Sequence, residues 1–229
     1  MSGLIWSAAP AESAGDFAVS EERVNQFTHA IAVPATVAGT VMLVGLAQSG
    51  LDPWLTSGCL IYGLSLIAVY LFSALSHTFH PGRWRDLFRT LDQVSIFALI
   101  AGTFTPVGLT VCRDGYWWIV LAAMWGLALA GMFMKLFVTK LENVPVWFYL
   151  AMGWLPLLSM GRIAAWFPAV ALLWILAGGV LYSAGTYFLL NDQRVRYFHA
   201  VWHVLVVAAS ACHFVVMYCY LVPGLQASV

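Results

Sequence analysis

The fold is decided by long uncharged runs, of which the clearest reads YFHAVWHVLVVAASACHFVVMYCYLV at residues 197–222. It contains no Asp, Glu, Lys or Arg, and a helix needs about 20 mostly apolar residues to span a bilayer. Other runs are nearly as apolar, at residues 27–48, 54–77, 91–111, 117–138, 144–160 and 167–190. The sequence therefore predicts an all-α membrane protein, with a seven-helix transmembrane domain over residues 25–229.

The composition of the whole chain supports this prediction. Hydrophobic residues make up 62% of the 229 residues and charged residues 9%, far from the balance of soluble domains. Ten basic residues offset ten acidic ones, so the net charge indicates no nucleic acid and no acidic partner. Residues 1–24 have no basic residue before Arg23, which predicts a short cytoplasmic tail rather than a secretory signal.

The distribution of basic residues predicts the orientation. When the tail and connections are assigned alternately to two sides, one side holds Arg23, Arg83, Arg85, Arg89, Lys135, Lys140, Arg194 and Arg196. The other side holds only Arg113 and Arg162. The fifth run is short and contains Pro156, but this segregation is lost if it is left out. The positive-inside rule then predicts a cytoplasmic N-terminus and an external C-terminus.

Three histidines fall at the predicted cytoplasmic ends of two spans. Ionisable residues within spans are costly and are candidates for function. His199 and His203 are four residues apart and share one helix face, and His77 ends the second run at the same depth. Catalytic zinc commonly takes three protein ligands, so these three residues predict a Zn²⁺ site. Taken singly, each also fits a polar residue at a helix end.

Asp92 and Ser73 are the candidate catalytic residues beside this site. Asp92 begins the third run at the same depth and is the acidic residue placed to accept a proton from water activated by the ion. Ser73 lies one turn before His77, where its hydroxyl can orient the imidazole, the water or a substrate carbonyl. The other reading of Asp92 is a cap at the start of the third helix.

The remaining polar residues of the spans leave alternatives open. Glu22, Asn25 and His29 lie about one turn apart at the start of the first helix, either as partners of the metal ligands or as a polar helix end. His80 lies in a loop and is expected to be solvated. His213 is about 15 Å beyond His203 along a helix, too deep to share the ion, and is expected to be a core histidine with a hydrogen-bond partner.

These motifs together resemble the hemolysin III family, the bacterial branch of the progestin and adipoQ receptor superfamily that includes the adiponectin receptors. The resemblance runs nearly end to end and rests on four segments: ERVNQFTH at 22–29, SALSH at 73–77, LD at 91–92 followed by IAGTFTP at 100–106, and HAVWH at 199–203 followed by HF at 213–214. Ser76 departs from the family pattern, in which an aromatic residue often precedes the histidine.

The resemblance implies seven helices with a cytoplasmic N-terminus in a bacterial inner membrane. It also implies zinc held by His77, His199 and His203, with water near Asp92 and Ser73, and membrane lipids as partners. The receptor branch suggests ceramide-like amides as substrates. The large amino-terminal domain of the adiponectin receptors has no counterpart in the sequence, so nothing in it indicates binding of such a hormone.

Three functions are weighed at this point. The first is a zinc-dependent hydrolase of lipid amide or ester bonds at the cytoplasmic side. The second is a non-enzymatic membrane homeostasis factor or sensor in which zinc is structural. The third, a pore-forming haemolysin, is disfavoured because a conducting path needs polar or charged linings, whereas the outer halves of these helices offer mainly Leu, Val, Ala, Phe and Trp.

Overall fold

A computed structural model describes residues 14–138 and 145–227, with side chains from residue 19 onward. Lys140, one of the predicted cytoplasmic basic residues, and the first residue of the predicted fifth run lie outside the described residues. The chain folds into the helices α1 Ala14–Ala30, α2 Ala32–Gln48, α3 Pro53–Thr78, α4 Arg83–Leu109, α5 Trp118–Phe137, α6 Val146–Trp154, α7 Met160–Trp166, α8 Ala169–Leu190, α9 Phe198–Val216 and α10 Val222–Gln226.

The seven predicted spans are confirmed. In the described part of the chain, seven helical segments are long and apolar enough to cross a membrane: Val19–Gln48, Pro53–Thr78, Arg83–Leu109, Trp118–Phe137, Val146–Trp166, Ala169–Leu190 and Phe198–Gln226. Five of them agree with the apolar runs to within a few residues at their starts. The first and third spans differ there, and both differences bear on the candidate site.

The first span begins well before its apolar run. Helix α1 starts at Ala14, passes through the predicted boundary at residue 24 and meets α2 at a single turn residue, Ile31. The polar residues of α1 therefore lie on a helix packed against α3 and α9. This packing brings one face of α1 against the candidate metal ligands.

The third span also begins earlier than its apolar run, at Arg83 instead of residue 91. The added turns are helical because Phe88 packs on Phe72 and Phe79, with ring centroids 6.5 and 5.2 Å apart, and because Arg85 pairs with Glu22. Asp92 consequently lies in the third turn of α4. The helix-cap reading of Asp92 is wrong, because capping residues stand at the helix end.

Helices α3 and α4 are the most buried spans and pack closely in antiparallel directions. A Cβ at Gly58 would lie 2.7 Å from the backbone of Pro106, and one at Gly102 would lie 2.5 Å from the hydroxyl of Ser65. Glycine at these two positions permits the close approach. The register it sets, continued to the far end of α3, brings Ser73 opposite Asp92.

The fifth and seventh spans contain breaks in regular α-helix. Between α6 and α7, residues Leu155–Ser159 form a 3₁₀ turn, since Pro156 has no N–H for an α-helical hydrogen bond. Between α9 and α10, residues Met217–Leu221 form a π turn just before Pro223. Both breaks lie towards the end of the bundle opposite the histidines.

Arg113 and Arg162, the two basic residues predicted on the external side, lie at the end of the bundle opposite the histidines. Arg162 donates from its Nε to the carbonyl of Val111, just beyond the end of α4, at 2.9 Å. Arg113 lies over the ring of Trp54 at the start of α3. The charge segregation read from the sequence therefore corresponds to two ends of one bundle.

Candidate metal centre

His77, His199 and His203 come together as predicted. One ring nitrogen from each lies within 4.8 Å of the others, and the ring centroids are 4.5 to 5.3 Å apart. His77 comes from the last turn of α3, and the other two come from the first two turns of α9. The histidines of the cluster differ in burial. His203 is 1% exposed, whereas the side chain of His199 is 28% exposed.

His77 is held by an acidic residue from α1. Its Nδ1 lies 2.6 Å from Oε2 of Glu22, and the other oxygen of that carboxylate accepts from Arg85 at the start of α4. The Glu22 carboxylate therefore links three helices at one point. Since a carboxylate is an acceptor, the Nδ1 of His77 carries the proton in this bond.

His199 is held in the same way by a loop residue. Its Nδ1 lies 2.8 Å from Oδ2 of Asp192, in the connection between α8 and α9. Partial burial alone would raise the pKa of Asp192, but the hydrogen bond and charge of His199, with a bond from Gln193, hold that pKa below its ordinary value. Asp192 is therefore an anion at neutral pH.

His203 is held by neutral groups of α1. Its Nδ1 lies 3.1 Å from the carbonyl oxygen of Asn25 and 3.0 Å from the hydroxyl of Thr28. The Thr28 hydroxyl itself donates to the Asn25 carbonyl at 2.8 Å, so it acts as an acceptor for His203. The ring of His29 stacks flat on His203 at 3.7 Å between centroids, and no described residue forms a hydrogen bond with either His29 nitrogen.

The donor chemistry of this cluster fits a metal ion. Each imidazole uses Nδ1 towards an acceptor, which leaves the lone pair of Nε2 on every ring. Three neutral imidazole nitrogens from two helices are a ligand set that suits zinc and other borderline divalent metals. The arrangement can therefore hold one ion.

Asp92 and Ser73 lie beside the cluster on α4 and α3. Asp92 is partly buried and lies within electrostatic range of His199 and Arg89. Ser73 is 1% exposed, and its hydroxyl is near the Asp92 carboxylate but makes no well-formed hydrogen bond with any described group. The structure therefore places a buried hydroxyl and a carboxylate side by side next to the three histidines.

An apolar cavity of about 220 Å³ begins one turn beyond this pair of residues. Its wall includes Val69, one turn before Ser73 on α3, and Ile96, one turn after Asp92 on α4. From there it extends between α4, α6, α8 and α9 as far as Met217. The space therefore extends from near the histidine end of the bundle to the π turn towards the opposite end.

The other two histidines lie apart from the cluster. His213 lines the cavity, and its Nε2 donates to the carbonyl of Ile175 at 3.3 Å, as expected of a core histidine. Gly178 makes room for that ring, since a Cβ there would lie 2.5 Å from it. His80 is exposed in the turn after α3, as expected.

Sequence reasoning missed Asp192 and left Glu22 and Asn25 open. The sequence did contain a signal for Glu22, since Glu22, Asn25 and His29 are spaced about one helical turn apart and so share one helix face. For Asp192 no periodicity is visible, because residues 191–197 form a non-helical connection between α8 and α9 that ends at the left-handed Tyr197 (φ 62°).

Comparison with known proteins gives a family match over most of the chain. The family described as "Haemolysin-III related" matches residues 17–214. The Hemolysin-3 homolog of Bacillus subtilis (strain 168) is 32% identical over 213 residues, covering 92% of this chain and 100% of that protein. Hemolysin-3 of Bacillus cereus is 33% identical over 206 residues, covering 90% of this chain and 94% of that protein.

A more distant similarity extends to animals. The human Monocyte to macrophage differentiation factor is 27% identical over 215 residues, covering 88% of this chain and 84% of that protein. No solved structure matches the chain significantly.

Proposed function

The chain belongs to the hemolysin III family of multi-pass bacterial membrane proteins, and from this premise we propose that it is a Zn²⁺-dependent hydrolase of lipid amide or ester bonds. The observation that carries the proposal is the placement of a buried serine hydroxyl, facing the Asp92 carboxylate, between a three-histidine cluster and an apolar cavity.

In this proposal His77, His199 and His203 hold the ion, which when bound polarises a carbonyl and lowers the pKa of water. Asp92 accepts a proton from the water as its oxygen attacks the carbonyl carbon. The Ser73 hydroxyl donates a hydrogen bond to the oxygen on which charge develops. Asp92 then gives the proton to the leaving nitrogen or oxygen as the bond to carbon breaks, which yields a fatty acid and an amine or alcohol.

The chemistry of the cavity wall supports a hydrocarbon chain as the part of the substrate bound there. The hydroxyls of Thr103, Ser183 and Thr186 all donate to backbone carbonyls of their own helices, and the indole N–H of Trp154 donates to Ser183. These polar groups are therefore satisfied without a ligand. An apolar chain fits such a wall, whereas a hydrated ion gains nothing from it, so the cavity does not favour a pore.

The proposed hydrolysis can be measured on purified protein. The chain, reconstituted with Zn²⁺ in liposomes containing labelled N-acyl amide and ester lipids, is expected to release fatty acid. A chelator should reduce release to the rate of protein-free liposomes, and added Zn²⁺ should restore it, because the ion supplies the electrophile. Absence of metal-dependent release from both lipid classes would contradict the proposal.

The acyl-chain role of the cavity predicts the effect of filling it. Gly153 lines the cavity, and a Cβ there meets nothing within 4 Å, so a side chain can be introduced at this position without a clash at its first atom. In Gly153→Leu, the leucine side chain displaces about two methylene groups, each worth about 0.8 kcal/mol, so KM for a long-chain lipid is expected to rise about 15-fold.

Gly126→Leu is the matched control for this substitution. Gly126 also has open space around its Cβ but lies outside the cavity wall. Its KM is expected to equal that of the unmodified chain. Equal KM values for the two variants would count against the cavity as the acyl site.

A second candidate function, a membrane homeostasis factor or sensor with structural zinc, is favoured by a different observation. The hydroxyl of Tyr182, on the cavity wall, lies 2.7 Å from that of Ser210, which also accepts from Tyr70 at 2.7 Å. Tyr70 packs edge-on against His29, which stacks on His203. A lipid in the cavity would thereby be coupled to the metal ligands without any reaction.

A further inference from the structure

We propose that Glu22 and Asp192 are positioning residues for the metal: they fix the orientation and proton of His77 and His199 and offset the charge of the bound dication. This inference rests on the proposed metal site. It concerns two residues that touch neither the ion nor a substrate. Each acts through the imidazole that it contacts.

The first argument is the direction of the two hydrogen bonds. Glu22 accepts from Nδ1 of His77 at 2.6 Å and Asp192 accepts from Nδ1 of His199 at 2.8 Å. A carboxylate has no proton to give, so each imidazole is fixed with hydrogen on Nδ1 and its lone pair on Nε2. Both rings are thereby prepared for the ion before it arrives, and such partners also raise the basicity of the ligand.

The second argument is charge. Three neutral imidazoles bring no negative charge to a divalent cation, and a bare dication within a membrane protein is strongly destabilised. Glu22 and Asp192 together carry two negative charges, one ring away from the ion. Of the other ionisable groups near the cluster, Arg85 adds one positive charge beside Glu22, Asp92 adds one negative charge, and Arg89 is exposed. The two positioning carboxylates therefore bring the site close to neutrality.

The third argument is the contrast with His203. This ring is the most buried of the three, and its Nδ1 meets only neutral acceptors, the Asn25 carbonyl and the Thr28 hydroxyl. Orientation is thus provided for all three ligands, but charge is supplied only at the two more exposed ones. Side chains of Glu22 and Asp192 are 35% and 14% exposed, so these carboxylates retain contact with water and cost less to ionise there.

The experiment compares two substitutions at each position. Glu22→Gln and Asp192→Asn keep a hydrogen-bond acceptor but remove the charge, whereas Glu22→Leu and Asp192→Leu remove both. Zn²⁺ affinity of the full purified chain in detergent is measured by competition with a chromophoric chelator. The leucine variants are expected to bind 10- to 100-fold more weakly, and the amide variants to lie between them and the unmodified chain.

A spectroscopic readout separates positioning from simple folding effects. Co²⁺ replaces Zn²⁺, and its visible absorption bands report the geometry of the ligands. The amide variants are expected to keep the band positions of the unmodified chain, because the rings stay oriented. The leucine variants are expected to shift or weaken these bands, in samples whose elution and helix content match the unmodified chain.

Two control substitutions test whether weaker Zn²⁺ binding results from lost contacts between helices and not from a lost contact with a metal ligand. Glu21→Gln alters the neighbouring acid, which contacts the backbone N–H of Tyr197 and pairs with Arg196 instead of a histidine. Arg85→Met removes the other partner of Glu22 and leaves the bond to His77 in place. Glu21→Gln is expected to change Zn²⁺ affinity less than threefold, and Arg85→Met, which removes a positive charge beside Glu22, is expected not to weaken it.

The outcomes distinguish this inference from the proposed function. If the unmodified chain binds neither Zn²⁺ nor Co²⁺, both fail. If it binds them and the leucine variants bind equally well, only the positioning role fails. If Arg85→Met weakens binding as much as Glu22→Leu, Glu22 acts by bracing α1 against α4, and the inference is overturned for that residue.

Discussion

Alanine at His77, His199 or His203 is expected to reduce bound zinc from one ion per chain to a trace. Each ring supplies one of three nitrogens, and loss of any leaves two ligands on a site that must also withdraw the ion from water. Without His77, for example, the ion would be bound only by His199 and His203 on one face of α9. Zinc content is measured on purified protein by elemental analysis after dialysis against metal-free buffer.

Two other histidines provide the controls for this series. His80→Ala removes an exposed loop imidazole, and His213→Ala removes a buried one that bonds to Ile175. Both are expected to keep one zinc per chain. Stoichiometric zinc in any of the three cluster variants would show that the residue is not a ligand, and loss of zinc in both controls would point to general unfolding.

The spans and the histidine cluster were predictable because each depends on a local or one-dimensional signal. Apolar runs fix the number of crossings, and the segregation of basic residues assigns their ends. An odd number of crossings then places the end of the second span and the start of the seventh at one depth. The i, i+4 spacing of His199 and His203 places both on one helix face. The sequence alone therefore predicted that His77 lies close to them.

The partners of these histidines were harder to predict because they depend on geometry between elements. Glu22 reaches His77 only because α1 is a helix packed on α3 and α9, although its residues are too polar to read as part of a span. Asp192 reaches His199 through the non-helical connection at residues 191–197, which folds the chain back onto the start of α9. The contact of Ser73 with Asp92 depends on the α3–α4 register, which close approaches at Gly58 and Gly102 set.

The start of α4 illustrates a limit of hydropathy. Residues 83–90 carry three arginines and read as a loop, yet they are helical since Phe88 packs on Phe72 and Arg85 meets Glu22. The consequence for the candidate site is direct. Asp92 moves from a helix end, where a carboxylate is satisfied by backbone N–H groups, to a helix interior, where those groups are already bonded to carbonyls.

Asp92→Asn is expected to leave zinc bound and to slow lipid hydrolysis by about 10²- to 10⁴-fold, the usual range for loss of a general base. Asparagine has nearly the same shape and still accepts hydrogen bonds, but it cannot take a proton from water at neutral pH. Hydrolysis is measured in the liposome assay and zinc content in the same preparation. Asp86→Asn, an exposed change on the same helix, is the matched control and should retain full activity.

The same variant decides between the two candidate functions. A sensor with structural zinc needs the ion and the cavity but no proton acceptor, so Asp92→Asn should then complement a deletion strain as well as the unmodified gene does. A hydrolase needs the carboxylate in its ionised form, and complementation should fail although zinc and folding are intact. Because Asp92 stands in the interior of α4 beside the buried hydroxyl of Ser73, a structural role as a cap does not account for it, and we expect complementation to fail.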